Sequence, residues 1–187
     1  MTVKFITILT ILLAFSWMTT NGQNSKALTI ENIDSLTDRD LLFEIFVNIA
    51  ERYTGQTDKK KEIISKLTQE QQVFYALTVL EMEVNNGGFN QYYYNQGDEF
   101  ADLAVDGFKA IGAKKFADLA TRANKVFREQ NKKITDKQDG SMQGFSESYK
   151  DNPLNDLDKE FYNLYKDEPL TKLTVDYVKK NKSKFIN

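Results

Sequence analysis

The chain has 187 residues, a formal net charge of -2, and 41% hydrophobic against 28% charged residues, which suits a folded protein and not a disordered one. It contains no His and no Cys, so imidazole zinc sites, Ser-His-Asp triads, thiol catalysis and disulfides are all excluded. The near-balance of charge also argues against a strongly basic nucleic-acid surface, so direct nucleic-acid binding is not expected.

Met1 to Gln23 reads as an export signal. Lys4 is its sole charge, an apolar run follows from Phe5 to Phe15, and Ser16 to Gly22 turns small and polar. The run is about half the length of a membrane span, so cleavage near Gln23 and an exported (periplasmic or secreted) product are expected, with no stable span once the leader is gone. Loss of the leader removes Lys4 and no acid, leaving 24 basic and 27 acidic residues. Residues 24–36 are polar and weakly patterned, and are expected to be a flexible lead-in.

From residue 37 to 187 helical periodicity dominates. Asp38 is expected to cap a helix with the stripe Leu41, Leu42, Ile45, Phe46 and Ile49, closed by Gly55. Thr68 and Gln71 have the spacing of a capping box. The helix they start carries apolar residues on two neighbouring faces, Val73, Leu77, Leu80 and Val84 beside Tyr75, Val79 and Met82, which predicts a central, mostly buried rod. Asp98 is expected to cap a third helix (Ala101, Ala104, Val105, Phe108, Ile111), and Gly112 to break it. A fourth carries Phe116, Leu119, Ala120, Ala123, Val126 and Phe127. Gln130 to Pro153 lacks a period and predicts a long loop with, at most, a short helical turn. A fifth helix carries Leu157, Phe161 and Leu164. Pro169 suits the first turn of a sixth, which ends in lysines that favour the dipole. The expected fold class is all-α, a single domain of about six helices in an irregular bundle.

Glu83 to Gly97 reads E-V-N-N-G-G-F-N-Q-Y-Y-Y-N-Q-G, with three Gly, four Asn, two Gln and three adjacent Tyr. Two glycines after a long helix predict a stop, with Gly87 or Gly88 left-handed and Phe89 folding back onto the helix. Glu83 faces the negative end of the macrodipole and needs a partner; the Gln91 amide and the turn's backbone N–H groups are within reach. Adjacent helical residues point about 100° apart, so Tyr92, Tyr93 and Tyr94 cannot all be buried on one side. Amides and phenols recognise rather than catalyse. The binding-site residues expected from this reading are Glu83, Asn86, Gly87, Gly88, Phe89, Gln91, Tyr92, Tyr93 and Asn95. No catalytic residue, metal site or cofactor is expected.

The run N-G-G-F-N-Q-Y-Y-Y-N, the A-I-G-A that ends the next helix and the late D-E-P-L-T-K-L-T-V-D-Y-V-K-K pattern resemble a family named for the C-terminal domain of a bacterial DNA-mimic protein, over about Leu41 to Phe185. The resemblance implies an all-helical domain, and in one member an acidic imitation of duplex DNA that occupies a transcription factor. This chain departs from that role in its balanced charge and its leader. Its most acidic stretch, Asp136 to Glu168, has nine acids against four lysines. The function expected is an exported, non-enzymatic binding module for a protein or peptide partner. The alternatives are an acidic decoy for a basic DNA-binding protein, and a hydrolase using carboxylates such as Glu81 and Glu83.

Overall fold

A computed structural model describes residues 28–186, and the leader expected at residues 1–23 lies outside them. The described residues are all-helical: α1 (Ile30–Ser35), α2 (Asp38–Glu51), α3 (Lys60–Ser65), α4 (Gln69–Gln96), α5 (Ala101–Ala110), α6 (Lys114–Thr135), α7 (Met142–Glu147), α8 (Asn155–Leu164) and α9 (Leu170–Lys180), with 3-10 turns at Thr57–Lys59 and Lys182–Lys184. The six longer helices are those the periodicity predicts. The three additional ones, α1, α3 and α7, have six residues each. That is under two turns, too short for a 3.6-residue repeat to show.

The helices gather into two compact units. One takes the described residues up to Gln72 together with those from Thr174 onward. In it, α1 occupies part of the expected lead-in: Thr29 and Asn32 form a reciprocal capping box, and Leu28 and Ile33 are buried. The cap of α2 is Thr37, whose Oγ1 accepts the Asp40 N–H at 3.2 Å, not the neighbouring Asp38. Asp38 pairs instead with Lys179. The Thr68–Gln71 capping box forms as expected, with both bonds at 3.2 Å.

The second unit runs from Val73 to Leu173 and holds every feature discussed below. Val73, Phe74, Tyr75, Ala76, Leu77, Val79, Leu80 and Val84 of α4 are all buried, which is the wide apolar surface its sequence predicts. The expected stripes of α5 and α6 are also buried, with Val126 half-exposed at the edge. A Cβ on Gly107 of α5 would sit 2.6 Å from the Val73 carbonyl oxygen, so this close helix crossing requires glycine.

Asp98 does not cap α5, which starts on Phe100 without a side-chain cap. Arg128 claims that carboxylate with bonds of 2.9–3.1 Å and also reaches Asp102. Helix α6 has no cap of its own either. Its first N–H groups, at Lys115 and Phe116, donate to the Glu168 carboxylate at 3.0–3.2 Å. A negative group from a distant turn thus satisfies the positive end of the helix. The loop expected from Gln130 onward is shorter than its composition suggests. Helix α6 passes through a local break at Gln130 and continues to Thr135, and α7 follows within a few residues.

Candidate functional site

Helix α4 is two rods meeting at the double glycine. Gly87 (φ -147°, ψ 22°) and Gly88 (φ 77°, ψ -178°) leave helical geometry, and the helix resumes at Phe89. The left-handed residue is Gly88. Such a break strands carbonyls on one side and N–H groups on the other. Side chains from α8 and the segment before it supply the partners. Tyr162 donates to the Val84 carbonyl at 2.7 Å and Tyr149 to the Gly87 carbonyl at 2.8 Å. The Phe89 N–H donates to Asp158 Oδ1 at 2.7 Å, so Asp158 caps the second rod from across the unit. Burial pushes the Tyr149 hydroxyl up to about 12, which keeps it a donor at any ordinary pH.

Glycine is required at 88, where φ is positive, and space is tight at 87 as well. A Cβ on Gly87 would lie 2.3 Å from Gln91 Oε1 and 2.8 Å from the Tyr149 hydroxyl; one on Gly88 would lie 2.3 Å from Asp158 Oδ2.

Asn90, just beyond the break, is fully buried and is the residue that sequence reasoning missed. Its Nδ2 donates to Ser148 Oγ at 2.8 Å. Its Oδ1 accepts from Gln138 at 3.2 Å and from Asn152 at 3.0 Å. Asn152 in turn donates to the Ser148 carbonyl and accepts the Leu154 N–H. One buried amide thereby fixes three points of the segment between α6 and α8. The signal was an amide in the variable position of N-G-G-F-x-Q-Y, beside residues expected to be buried.

Glu83 behaves as the staple its position predicts. It accepts from Gln91 at 2.7 Å, as expected, and also from Asn95 at 2.9 Å and Gln96 at 3.2 Å. All three amides come from the second rod, so one carboxylate ties the two rods together.

The expected outward patch of rings is largely sealed. Phe89, Tyr92 and Tyr93 are buried. Phe89 meets Phe161 edge-on at 5.8 Å, and Tyr93 stacks on Phe127 at 4.0 Å while donating to Asn124 Oδ1 at 2.7 Å. The Tyr92 hydroxyl is enclosed without a hydrogen-bond partner. These three rings are core, and each buried aromatic of this kind stabilises by about 1.5–3 kcal/mol. The physical reason is that the break turns the second rod so that its 89, 92 and 93 positions share one inward face. Asn86 and Gln91 are half-buried, and Asn95 is exposed.

Tyr94 is the ring that faces out, at 40% exposure. It rests on Phe145 of α7 at 4.7 Å. Met142, one helical turn before Phe145, is 78% exposed. Among the described residues only Ile30, Tyr94 and Met142 are large apolar side chains with this much exposure.

On the first rod, the Glu81 residue is half-exposed but its carboxyl end is enclosed, and that desolvation raises it above its ordinary 4.5. Tyr165 donates to it at 2.7 Å and receives the Asn85 amide at 2.7 Å. A carboxyl raised in the folded state favours folding while it is protonated. That advantage is complete below about pH 4.5 and is lost as pH climbs through the raised value. Glu81→Gln keeps the acceptor for Tyr165 and removes the charge. It is expected to raise Tm at neutral pH and to flatten the decline in stability between acid and neutral pH; an unchanged pH profile would show that Glu81 pays no burial cost.

A family model described as DMP19-like protein matches residues 65–181, more than half of the chain and somewhat less than the span the sequence suggested. No curated protein gives a significant match, and no solved structure does. The matched residues include both rods of α4 and each side chain that holds them.

Proposed function

Because the chain belongs to the DMP19-like protein family, whose name denotes DNA mimics, we propose that it is an exported, non-enzymatic module that binds a protein partner through the face made by Tyr94, Phe145 and Met142. The family supports a protein-type partner. The observation that carries the rest is the half-open Tyr94 ring. The molecule buries its neighbours Tyr92 and Tyr93 yet leaves Tyr94 tilted against Phe145, one helical turn from the largely exposed Met142. Aromatic and Met side chains are enriched where proteins meet, because rings offer large contact area for little lost entropy and Met adapts its shape to the partner. Export rests on the N-terminal leader pattern; no helix among the described residues is long and apolar enough to cross a membrane.

Catalytic use of the two carboxylates singled out in the sequence is disfavoured by their surroundings. Glu83 is saturated by three amides, and Glu81 is committed to Tyr165. The acidic-decoy reading draws on the family. Against it, many acids of the Asp136 to Glu168 stretch already have partners within the chain, although the exposed pairs among them contribute little each. Glu147, Asp156, Glu160 and Asp167 are in ion pairs with Lys150, Lys159, Arg122 and Lys115. Asp139 binds Ser141, and Asp158 and Glu168 cap helices. A decoy needs carboxylates free to stand in for phosphates.

Tyr94→Ala is expected to change stability by less than about 1 kcal/mol, since the ring is only part-covered. It should still reduce recovery of partner proteins in affinity capture from the exported fraction of the native host by about tenfold or more, as expected for loss of a central aromatic anchor. Undiminished capture would remove this face from the proposal. Binding that collapses with salt while ignoring Tyr94→Ala would favour the decoy.

A further inference from the structure

An open groove of about 530 Å³ runs between helices α5 and α6 on the 73–173 unit. Its floor is Val105 and Asn124, both buried, and its rim carries charges of both signs. The rim charges are unequally engaged. Arg128 is held tightly by Asp98 and Asp102. Asp106 meets Lys109 only at 3.5 Å, and Lys125 meets Glu129 only at 3.8 Å, each pair running along its own helix. The groove therefore presents a weakly engaged carboxylate on α5 and a weakly engaged ammonium on α6, above a floor of one valine and one internally bonded asparagine.

A purely anionic ligand would meet Asp102, Asp106 and Glu129. A purely cationic one would meet Lys109, Lys125 and Arg128. A molecule with both signs at its two ends avoids both conflicts. We propose that this groove binds a zwitterion of dipeptide size with apolar side chains, its ammonium on Asp106, its carboxylate on Lys125 and its side chains over Val105. The site is separate from the Tyr94 face and does not rest on the protein-partner reading. Exposed ion pairs contribute little each, so affinity should be millimolar.

The test is a titration of the leaderless protein with leucyl-leucine, followed by backbone amide NMR shifts. Saturable shifts centred on residues 102–109 and 121–129 are expected. N-acetyl-leucyl-leucine and leucyl-leucine amide should each bind about fivefold more weakly, as should Asp106→Asn and Lys125→Gln, whose exposed positions leave Tm unchanged. Absence of saturable shifts would overturn the proposal. So would equal binding of the blocked dipeptides, or shifts confined to other helices.

Discussion

Gly88→Ala is expected to cost about 3–5 kcal/mol of folding free energy, a large share of a typical domain's stability. Two effects add. The backbone at φ 77° and ψ -178° belongs to a region that is essentially restricted to glycine, and forcing a side chain into it costs about 1–3 kcal/mol. The new methyl would also stand 2.3 Å from Asp158 Oδ2 and 2.6 Å from its Cγ. Asp158 would have to swing away and release the Phe89 N–H, a charge-assisted bond worth about 1.5–3 kcal/mol. Gly55 is the matching control. It has φ 76°, but a Cβ there would meet nothing within 4 Å, so Gly55→Ala should show only the modest strain of a left-handed residue, about 1–2 kcal/mol. Urea unfolding followed by far-UV circular dichroism compares the two; the sole Trp of the chain is Trp17, outside the described residues, so indole fluorescence does not report on this unit. Equal costs for the two variants would mean that Asp158 does not enforce glycine at the break.

Asn90→Ala is expected to cost about 2–4 kcal/mol. The direct loss of three hydrogen bonds is the smaller part. The larger part is that the buried Asn152 Nδ2 and Ser148 Oγ would each lose a partner, although Asn152 keeps its bond to the Ser148 carbonyl and Ser148 its bond to the Phe145 carbonyl. Its effect should also be local. Gln138, Ser148 and Asn152 all lie between α6 and α8, so amide hydrogen exchange in residues 138–154 should accelerate well before the protein unfolds globally. If exchange there kept its wild-type protection, or if the cost fell below about 1 kcal/mol, the buried amide would not be what orders that segment.

The same network explains what the glycine motif is for. A continuous helix through residues 69–96 would carry Tyr92 and Tyr93 on in the register of the first rod. The break re-aims them inward, and three distant side chains, Tyr149, Asp158 and Tyr162, repair the backbone groups it exposes. Glu83 ties the second rod to the first, which fixes the angle at which Tyr94 emerges. The direction of the Tyr94 ring thus depends on residues in the break as well as on its own neighbours.

Much of this is written locally and was legible without coordinates. The all-α class follows from the 3.6-residue stripes, the buried breadth of α4 from its two adjacent apolar faces, the interruption (though not a full stop) from Gly87 and Gly88, and the Glu83–Gln91 bond from a carboxylate facing the wrong end of a helix dipole. Each is a relation between residues a few turns apart. Which tyrosine faces water was decided only by the tertiary fold, because that depends on the direction of the second rod after the break. That direction is held by Asp158 and Tyr149, which lie 69 and 62 residues further along the chain from the backbone groups they bind. The burial of Asn90, the use of Asp98 as an ion-pair partner instead of a cap, and the capping of α6 by Glu168 have the same origin. Periodicity reports which face of a helix is apolar, but not which distant polar side chain will reach a helix end or a broken turn.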